Sequence, residues 1–315
     1  MGSFGKWWRC RACSAREVSW YIKASLLELP QMSRSVVQQV YTHVFKPYGI
    51  LPVAFRRATS HLRPIPDFLI IGAQKSGTTT LHGWISNHPE VKTGVWKEVH
   101  FFDWRHRYEK RGLRWYRSHF PVLIKPSKFK VGESTPEYLF NPASPRRVAE
   151  TIPNARLVVL LRNPVDRAYS HYHHSRRLGA ESLTFKEALE AEEDRIKGEM
   201  RKLKKTGTHK GKKYMKYSYK KRGEYADQIE RWLKYFDRSQ FLFIKSESMF
   251  RKPKKKLKEV KNHIGVSNIN ITYKDKKNEG NYEKMEFEAR KKLRKHFEVK
   301  NKKLEKLIGK KMRWE

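Results

Sequence analysis

The chain has 315 residues, with 70 Lys and Arg against 32 Asp and Glu, a formal charge of +38. Its 16 Phe, 15 Tyr and 9 Trp supply enough apolar material for a core, which excludes a wholly disordered chain. The two cysteines, Cys10 and Cys13, exclude a disulfide framework, and no apolar run approaches the roughly 20 residues that cross a bilayer.

Such a charge favours anionic partners: nucleic acid, anionic lipid, acidic polysaccharide or a polyphosphorylated cofactor. The cations are densest at 195–222 and 252–261. A solvated lysine-rich surface would give the same count, so charge alone names no function.

Residues 1–65 read as an N-terminal extension and linker. Val36, Val37, Val40 and Val44 are spaced for one face of a short helix over 33–44, and Pro47, Pro52, Pro64 and Pro66 punctuate the linker after it. Cys10-x-x-Cys13 lacks a second ligand pair for zinc. Trp7 and Trp8 run directly into Arg9, Arg11 and Arg16, so no secretory signal is read. The expected location is the cytoplasm, with peripheral membrane contact through the basic surface.

A single domain is expected over 66–315. Residues 68–71 form a continuous apolar run suited to a buried parallel strand. The loop Gly72-Ala73-Gln74-Lys75-Ser76-Gly77-Thr78-Thr79-Thr80 comes at once after it, and Leu81, Trp84 and Ile85 then fall at helical spacing. A second strand is predicted at 157–161, with a helix over 166–174. Thr184 and Glu187 have capping-box spacing, and a helical stripe continues from Phe185 to Leu203. The Lys- and Tyr-rich stretch 206–222 reads as a long loop. Tyr225, Ile229, Trp232, Leu233 and Phe236 mark a helix face, 241–244 a third strand, and 253–264 and 285–308 further helices. Short apolar strands alternating with helices predict an α/β fold with a central parallel sheet covered on both faces.

Three groups of residues carry chemistry. In the first, strand, glycine-containing loop and helix start form a phosphate cradle: free N–H groups of the first turn face an anion, and Lys75 adds a positive charge. Ser76, Thr78, Thr79 and Thr80 add hydroxyls. Lys75 precedes Gly77 instead of coming after it, unlike a Walker A loop, so a nucleoside triphosphatase or a P-loop kinase is disfavoured. In the second, Arg162 emerges at the carboxyl end of its strand, where ligands of open α/β sheets bind, and Ser170 lies on the helix after it. A salt bridge from Arg162 to Asp166 is the bland alternative. In the third, Lys97-Glu98-Val99-His100-Phe101-Phe102 alternates as a short strand with Glu98 and His100 on its polar side. A carboxylate beside aromatic residues is expected to have a raised pKa and to serve as a base. A plain Glu98–Lys97 surface pair is the competing reading.

The segments 68–80, 97–103, 132–138 (Gly-Glu-Ser-Thr-Pro-Glu-Tyr) and 161–170 (Leu-Arg-Asn-Pro-Val-Asp-Arg-Ala-Tyr-Ser) resemble the sulfotransferase domain family. The similarity is greatest to its bacterial-type members and to the heparan sulfate sulfotransferases, in the family's order and over about residues 66–315. The resemblance implies a P-loop NTPase-like three-layer fold and a cofactor, 3′-phosphoadenosine 5′-phosphosulfate (PAPS), with adenosine 3′,5′-bisphosphate (PAP) as product and no metal. It assigns Lys75, Ser76, Gly77, Thr78, Thr79 and Thr80 to the 5′-phosphosulfate, Arg162 and Ser170 to the 3′-phosphate, and Glu98 to the role of base.

His100 is then expected to orient the acceptor or Glu98. Two departures stand out: Ser134 occupies a position where the heparan sulfate enzymes carry Lys, and Glu279 falls in a late cofactor-closing loop. Lys276, Lys277 or the pair Arg222 and Gly223 are the expected substitutes there. The implied reaction is transfer of a sulfuryl group to a hydroxyl or amine of a carbohydrate, including an anionic polysaccharide, with no specific nucleic-acid partner. Tyr214, Tyr217 and Tyr219 are expected to meet the saccharide, and His171, His173 and His174 to line its cleft. The rival from another class is a basic protein that binds nucleic acid or a membrane surface.

Overall fold

The computed structural model describes residues 53–123, 125–206, 213–272 and 282–314. The helix expected at 33–44, Cys10, Cys13, Lys276, Lys277 and Glu279 lie outside them. Five parallel strands, β1 (Phe68–Gly72), β2 (Val91–Thr93), β3 (Lys130–Ser134), β4 (Arg156–Leu161) and β5 (Phe241–Lys245), form one sheet in the order β2-β3-β1-β4-β5. Helix α1 (Val53–Ala58) precedes β1, α2 (Thr78–Ile85) comes after it, and α3 (Gly112–Arg117) precedes β3. Next, α4 (Glu137–Phe140) and α5 (Ser144–Thr151) lead into β4. Between β4 and β5 run α6 (Pro164–Arg177), α7 (Phe185–Glu190), α8 (Glu192–Thr206), α9 (Lys213–Tyr217) and α10 (Tyr225–Leu233). The C-terminal helices are α11 (Ser246–Arg251), α12 (Pro253–Ile264) and α13 (Phe287–Ile308).

Side chains alternate across the central strands, yet both faces are apolar, as in a sheet covered on each side. Leu69, Ile71, Leu157, Val159 and Leu161 pack with α4, α5, α10 and α13. Phe68, Ile70, Val158 and Leu160 pack with α2, α11 and α12. This is the three-layer parallel architecture expected from the sequence.

The strands at 68–72, 156–161 and 241–245 match the predicted runs, while β2 and β3 carry no apolar run to announce them. β3 is cut to fit its neighbour: Gly132 pairs with Phe68, and a Cβ there would come within 2.1 Å of the Phe68 ring. The Thr184–Glu187 capping box forms in both directions. The stripe beginning at Phe185 is two helices, α7 and α8, and α9 lies within the stretch expected to be a loop. Residues 98–100 are irregular and lead into a turn at 101–103, not the expected strand, with Glu98 at φ 65° and His100 at φ 50°. Among the described residues, no helix is long and apolar enough to cross a membrane.

Candidate functional site

The chain leaves β1 toward β2 and β3 on one side and returns to β4 on the other. The sheet therefore changes direction between β1 and β4, the place where ligands of open α/β sheets bind. A cleft of about 830 Å³ opens there, at the carboxyl ends of the strands. Gly77, at φ 90°, caps the start of α2, and a Cβ at this position would meet the Phe250 ring at 2.8 Å. Glycine thus supplies both the left-handed turn and the space. Leu81 N–H makes the first helical bond, to Gly77 O at 3.0 Å. The amides ahead of it belong to the turn that faces the cleft, as N-terminal helical amides do when they bind an anion.

Lys75, Gly77, Thr78, Thr79, Thr80, Glu98, His100, Arg162 and Ser170 all line this one cleft, though they come from segments far apart in the chain. Three expected residues do not. Ser76 is 1 % exposed, and its carbonyl accepts a 2.8 Å bond from the Ser246 hydroxyl. Arg222 is buried in a two-pronged ion pair with Glu137, at 2.8 and 3.0 Å, and lies 4.4 Å from the Phe140 ring centroid. Gly223 is packed so that a Cβ would meet Phe297 at 2.7 Å.

The tyrosines expected to meet a saccharide also differ in place. Tyr214 and Tyr219 are fully buried, and the Tyr219 hydroxyl donates to Glu181 at 2.7 Å. Of the three histidines only His174 lines the cleft; His171 is buried against Met215 O at 3.0 Å, and His173 stacks on Tyr282 at 4.2 Å.

Charge in the cleft is unevenly compensated. Each of its four carboxylates has a partner: Glu98 with Lys97, Glu137 with Arg222, Asp166 with Arg290 at 2.8 Å, and Glu247 with the Asn163 amide at 2.8 Å. Asp166 is thus paired with Arg290 and not, as the bland alternative would have it, with Arg162. Lys75, Arg162, Arg177 and Arg251 line the cleft with no ion pair among the described residues. Burial, reinforced by Arg177, Arg162 and the fully buried Arg167, lowers the Lys75 ammonium to about 8. Crowded, uncompensated cations of this kind suit a ligand that carries negative charge at more than one point.

The acidic end of the cleft differs from the expectation for its carboxylate. Burial pushes Glu98 up, but Lys97, His100 and His174 together outweigh it and hold the group below its ordinary value. Glu98 is thus paired with Lys97, as the competing reading has it, and it also lines the cleft, but the raised pKa expected for it is not found. His100 Nδ1 lies 2.7 Å from Asp103 Oδ2, and its Nε2 lies 3.8 Å from Glu98 Oε2. Burial lowers the imidazole, but Asp103, Glu98 and Glu137 raise it by more, so the net shift is upward. His174, lowered by burial, Lys75 and Arg177 to about 4, is neutral at physiological pH and sits within the influence of both Lys75 and Glu98.

Sequence reasoning missed Arg177, Ser246, Glu247, Phe250 and Arg251. Arg177 had a legible signal, because Ser170, His174 and Arg177 succeed one another at helical spacing. The other four come just after the carboxyl end of β5, the edge to which the sheet rule points.

The cleft, the helix start and the parallel sheet define a P-loop-type α/β protein. A family model described as the Sulfotransferase domain matches residues 65–313, and the chain belongs to that family. It is 33 % identical over 210 residues to the human bifunctional heparan sulfate N-deacetylase/N-sulfotransferase 3, which covers 64 % of this chain and 22 % of that protein. It is 32 % identical over 212 residues to the human heparan sulfate glucosamine 3-O-sulfotransferase 6, covering 66 % of this chain and 54 % of that one. The chain therefore spans about a fifth and about half of the lengths of these relatives. Among solved structures, it resembles a sulfotransferase from Alicyclobacillus acidocaldarius with a TM-score of 0.63 and 31 % identity, covering 78 % of this chain and 97 % of that one.

Proposed function

We propose that this domain is a PAPS-dependent sulfotransferase that moves a sulfuryl group onto a hydroxyl or amine of a carbohydrate by in-line displacement. The observation that carries the reading is the convergence of Lys75, the start of α2, Arg162, Ser170 and Glu98 on one cleft whose cations lack ion-pair partners among the described residues. Names of the relatives support a saccharide acceptor of the heparan sulfate kind.

The donor set fits such a cofactor. Lys75 and the Gly77–Thr79 amides would hold the 5′-phosphosulfate, and Arg162 with the Ser170 hydroxyl would hold the 3′-phosphate. PAPS, when bound, supplies the sulfuryl group and a phosphate leaving group. Lys75 then stabilises the negative charge that grows on the departing phosphate oxygen, within a pocket that strengthens such an interaction. Glu98, held ionised at neutral pH, accepts the proton of the attacking hydroxyl or amine. His100, fixed by Asp103, orients Glu98 and the acceptor from the side. Arg177 and the neutral His174, which line the same cleft as Glu98, would be available to a saccharide acceptor.

The test is to incubate the protein with ³⁵S-labelled PAPS and a panel of polysaccharides: de-N-acetylated and N-acetylated glucuronate–glucosamine chains, and their O-sulfated forms. The expected result is label on at least one chain with equimolar release of PAP. Absence of both across the panel, from protein that binds PAP, rejects the carbohydrate acceptor. Absence of PAP binding rejects the reading as a whole.

A further inference from the structure

The turn segment that carries Glu98 and His100 places two non-glycine residues at positive φ, 65° and 50°, a conformation that persists only where surrounding groups enforce it. Its backbone is accordingly held along its length. The Glu98 amide donates to Ser134 O at 3.0 Å, and the Phe101 amide donates to the Tyr138 hydroxyl at 3.1 Å. The His100 amide reaches the Thr135 hydroxyl at 3.5 Å. On the carbonyl side, Arg107 donates to Val99 O, Arg147 to Phe102 O at 2.9 Å and Asn141 to Asp103 O at 3.2 Å.

Two of those acceptors are hydroxyls, and a hydroxyl has a choice: it donates its own proton elsewhere only if something accepts it. Here one residue does so for both. Glu133, 2 % exposed in β3, takes the Tyr138 proton at 2.9 Å and the Thr135 proton on the same oxygen, Oε1. Its other oxygen takes the Tyr116 proton at 2.6 Å, and Tyr116 bonds no amide of the turn. Tyr116, Thr135 and Tyr138 are all fully buried, so no water competes for these bonds. Burial raises the Glu133 carboxyl, and the hydrogen bonds from Thr135, Tyr116 and Tyr138 oppose that rise. As a carboxylate it only accepts, so each hydroxyl gives its proton inward and offers a lone pair outward to the turn.

We infer that Glu133 is a positioning residue, which orients the Tyr138 and Thr135 hydroxyls as acceptors for the Phe101 and His100 amides and so holds Glu98 and His100 in place at the cleft. The inference rests on the reading of Glu98 as the base, but its structural half is independent of any reaction. Glu133 is buried and does not line the cleft, so its loss would act on the rate through the turn.

The experiment compares Glu133→Gln, Tyr138→Phe and Tyr116→Phe with the wild type in the full chain. Gln has nearly the same shape but carries an NH2 in place of one oxygen, so it cannot accept from all three hydroxyls at once. Tyr138→Phe removes the acceptor of the Phe101 amide with no change of charge, and it serves if Glu133→Gln fails to fold. Tyr116→Phe removes a buried bond to Glu133 of the same kind but no hydrogen bond to the turn, and it keeps the ring that stacks on Phe101 at 4.3 Å.

The first readout is amide hydrogen exchange of peptides over 97–103 and 72–80. Glu133→Gln and Tyr138→Phe should speed exchange in the first peptide and leave the second unchanged, and Tyr116→Phe should leave both unchanged. The second readout is turnover against PAP affinity. The first two variants should lose about 10²-fold in kcat, the scale of a misplaced reacting group, with PAP binding within about twofold of wild type. Tyr116→Phe should keep kcat within about threefold. Equal losses of kcat in Tyr116→Phe and Tyr138→Phe, or unchanged exchange over 97–103, overturn the inference. If the wild type transfers no sulfuryl group at all, the proposed function fails, and the exchange comparison alone still decides whether Glu133 holds the turn.

Discussion

The two edges of the sheet bear similar charged residues and treat them in opposite ways. At the amino edge, a cavity of about 500 Å³ is lined by Asp67, Lys130, Arg156 and His263, among others. There Asp67 Oδ2 takes the Val131 amide at 2.7 Å, Lys130 lies 3.6 Å from Asp67 Oδ1, and Arg156 reaches Ser239 O at 3.4 Å. At the carboxyl edge, Glu98, Glu137 and Asp166 are ion-paired and Glu247 takes a backbone amide, while Lys75, Arg162, Arg177 and Arg251 have no carboxylate partner among the described residues, Arg162 reaching Lys75 O at 3.2 Å. The difference has a geometric origin: parallel strands deliver helix starts, with their free amides, to one edge only, and that edge gathers the anion. Charge count says little about function; uncompensated charge beside a helix start says much more.

Substitutions should separate the edges sharply. Glu98→Gln removes the proposed base at nearly constant shape, and kcat should fall about 10²–10⁴-fold with PAP affinity retained. Lys75→Ala should lower kcat about 10²–10³-fold, the cost of removing one well-placed donor, while the thermal transition persists. More than a tenth of wild-type rate in that folded variant contradicts the role given to Lys75. Arg162→Ala, which removes the cation proposed to hold the 3′-phosphate, should weaken PAP binding about tenfold or more by calorimetry. Lys130→Ala, at the amino edge, should change neither rate nor PAP affinity, and stability should stay within about 0.5 kcal/mol of wild type.

The two titrating groups predict a pH profile. The Lys75 ammonium, lowered to about 8, loses its charge as pH rises through that value, so kcat/KM should fall on the alkaline side near pH 8. Glu98 is held below its ordinary value, so it stays ionised, and kcat/KM should show no loss of the base between about pH 7 and pH 5. A descending limb only at about pH 10 or above would show that Lys75 is not crowded by the other cations in solution.

Most of this was legible in the sequence where local pattern and chemistry coincide. The phosphate loop, Arg162 and Ser170 each sit just past an apolar strand, so strand and site announced one another. β3 was invisible because its residues serve neighbours: Gly132 makes room for Phe68, and Glu133 and Ser134 are polar yet buried. The segment at 98–102 read as a strand because alternation of Glu98, Val99, His100 and Phe101 mimics period two, while the bonds that bend it come from residues 107 and 134–147. Arg222 looked like a free cation, and its commitment to Glu137, 85 positions away, is a tertiary fact. Tyr214 and Tyr219 looked like surface aromatics among lysines; they are core.

The most direct measurement is a thermal-shift titration of the wild type and of Arg162→Ala with adenosine 3′,5′-bisphosphate. A cleft that grips both phosphates predicts a wild-type midpoint that climbs steadily once ligand exceeds its dissociation constant, with the variant's climb displaced to higher concentration. A wild-type midpoint that stays flat up to millimolar ligand, or a variant that responds identically, would contradict the account.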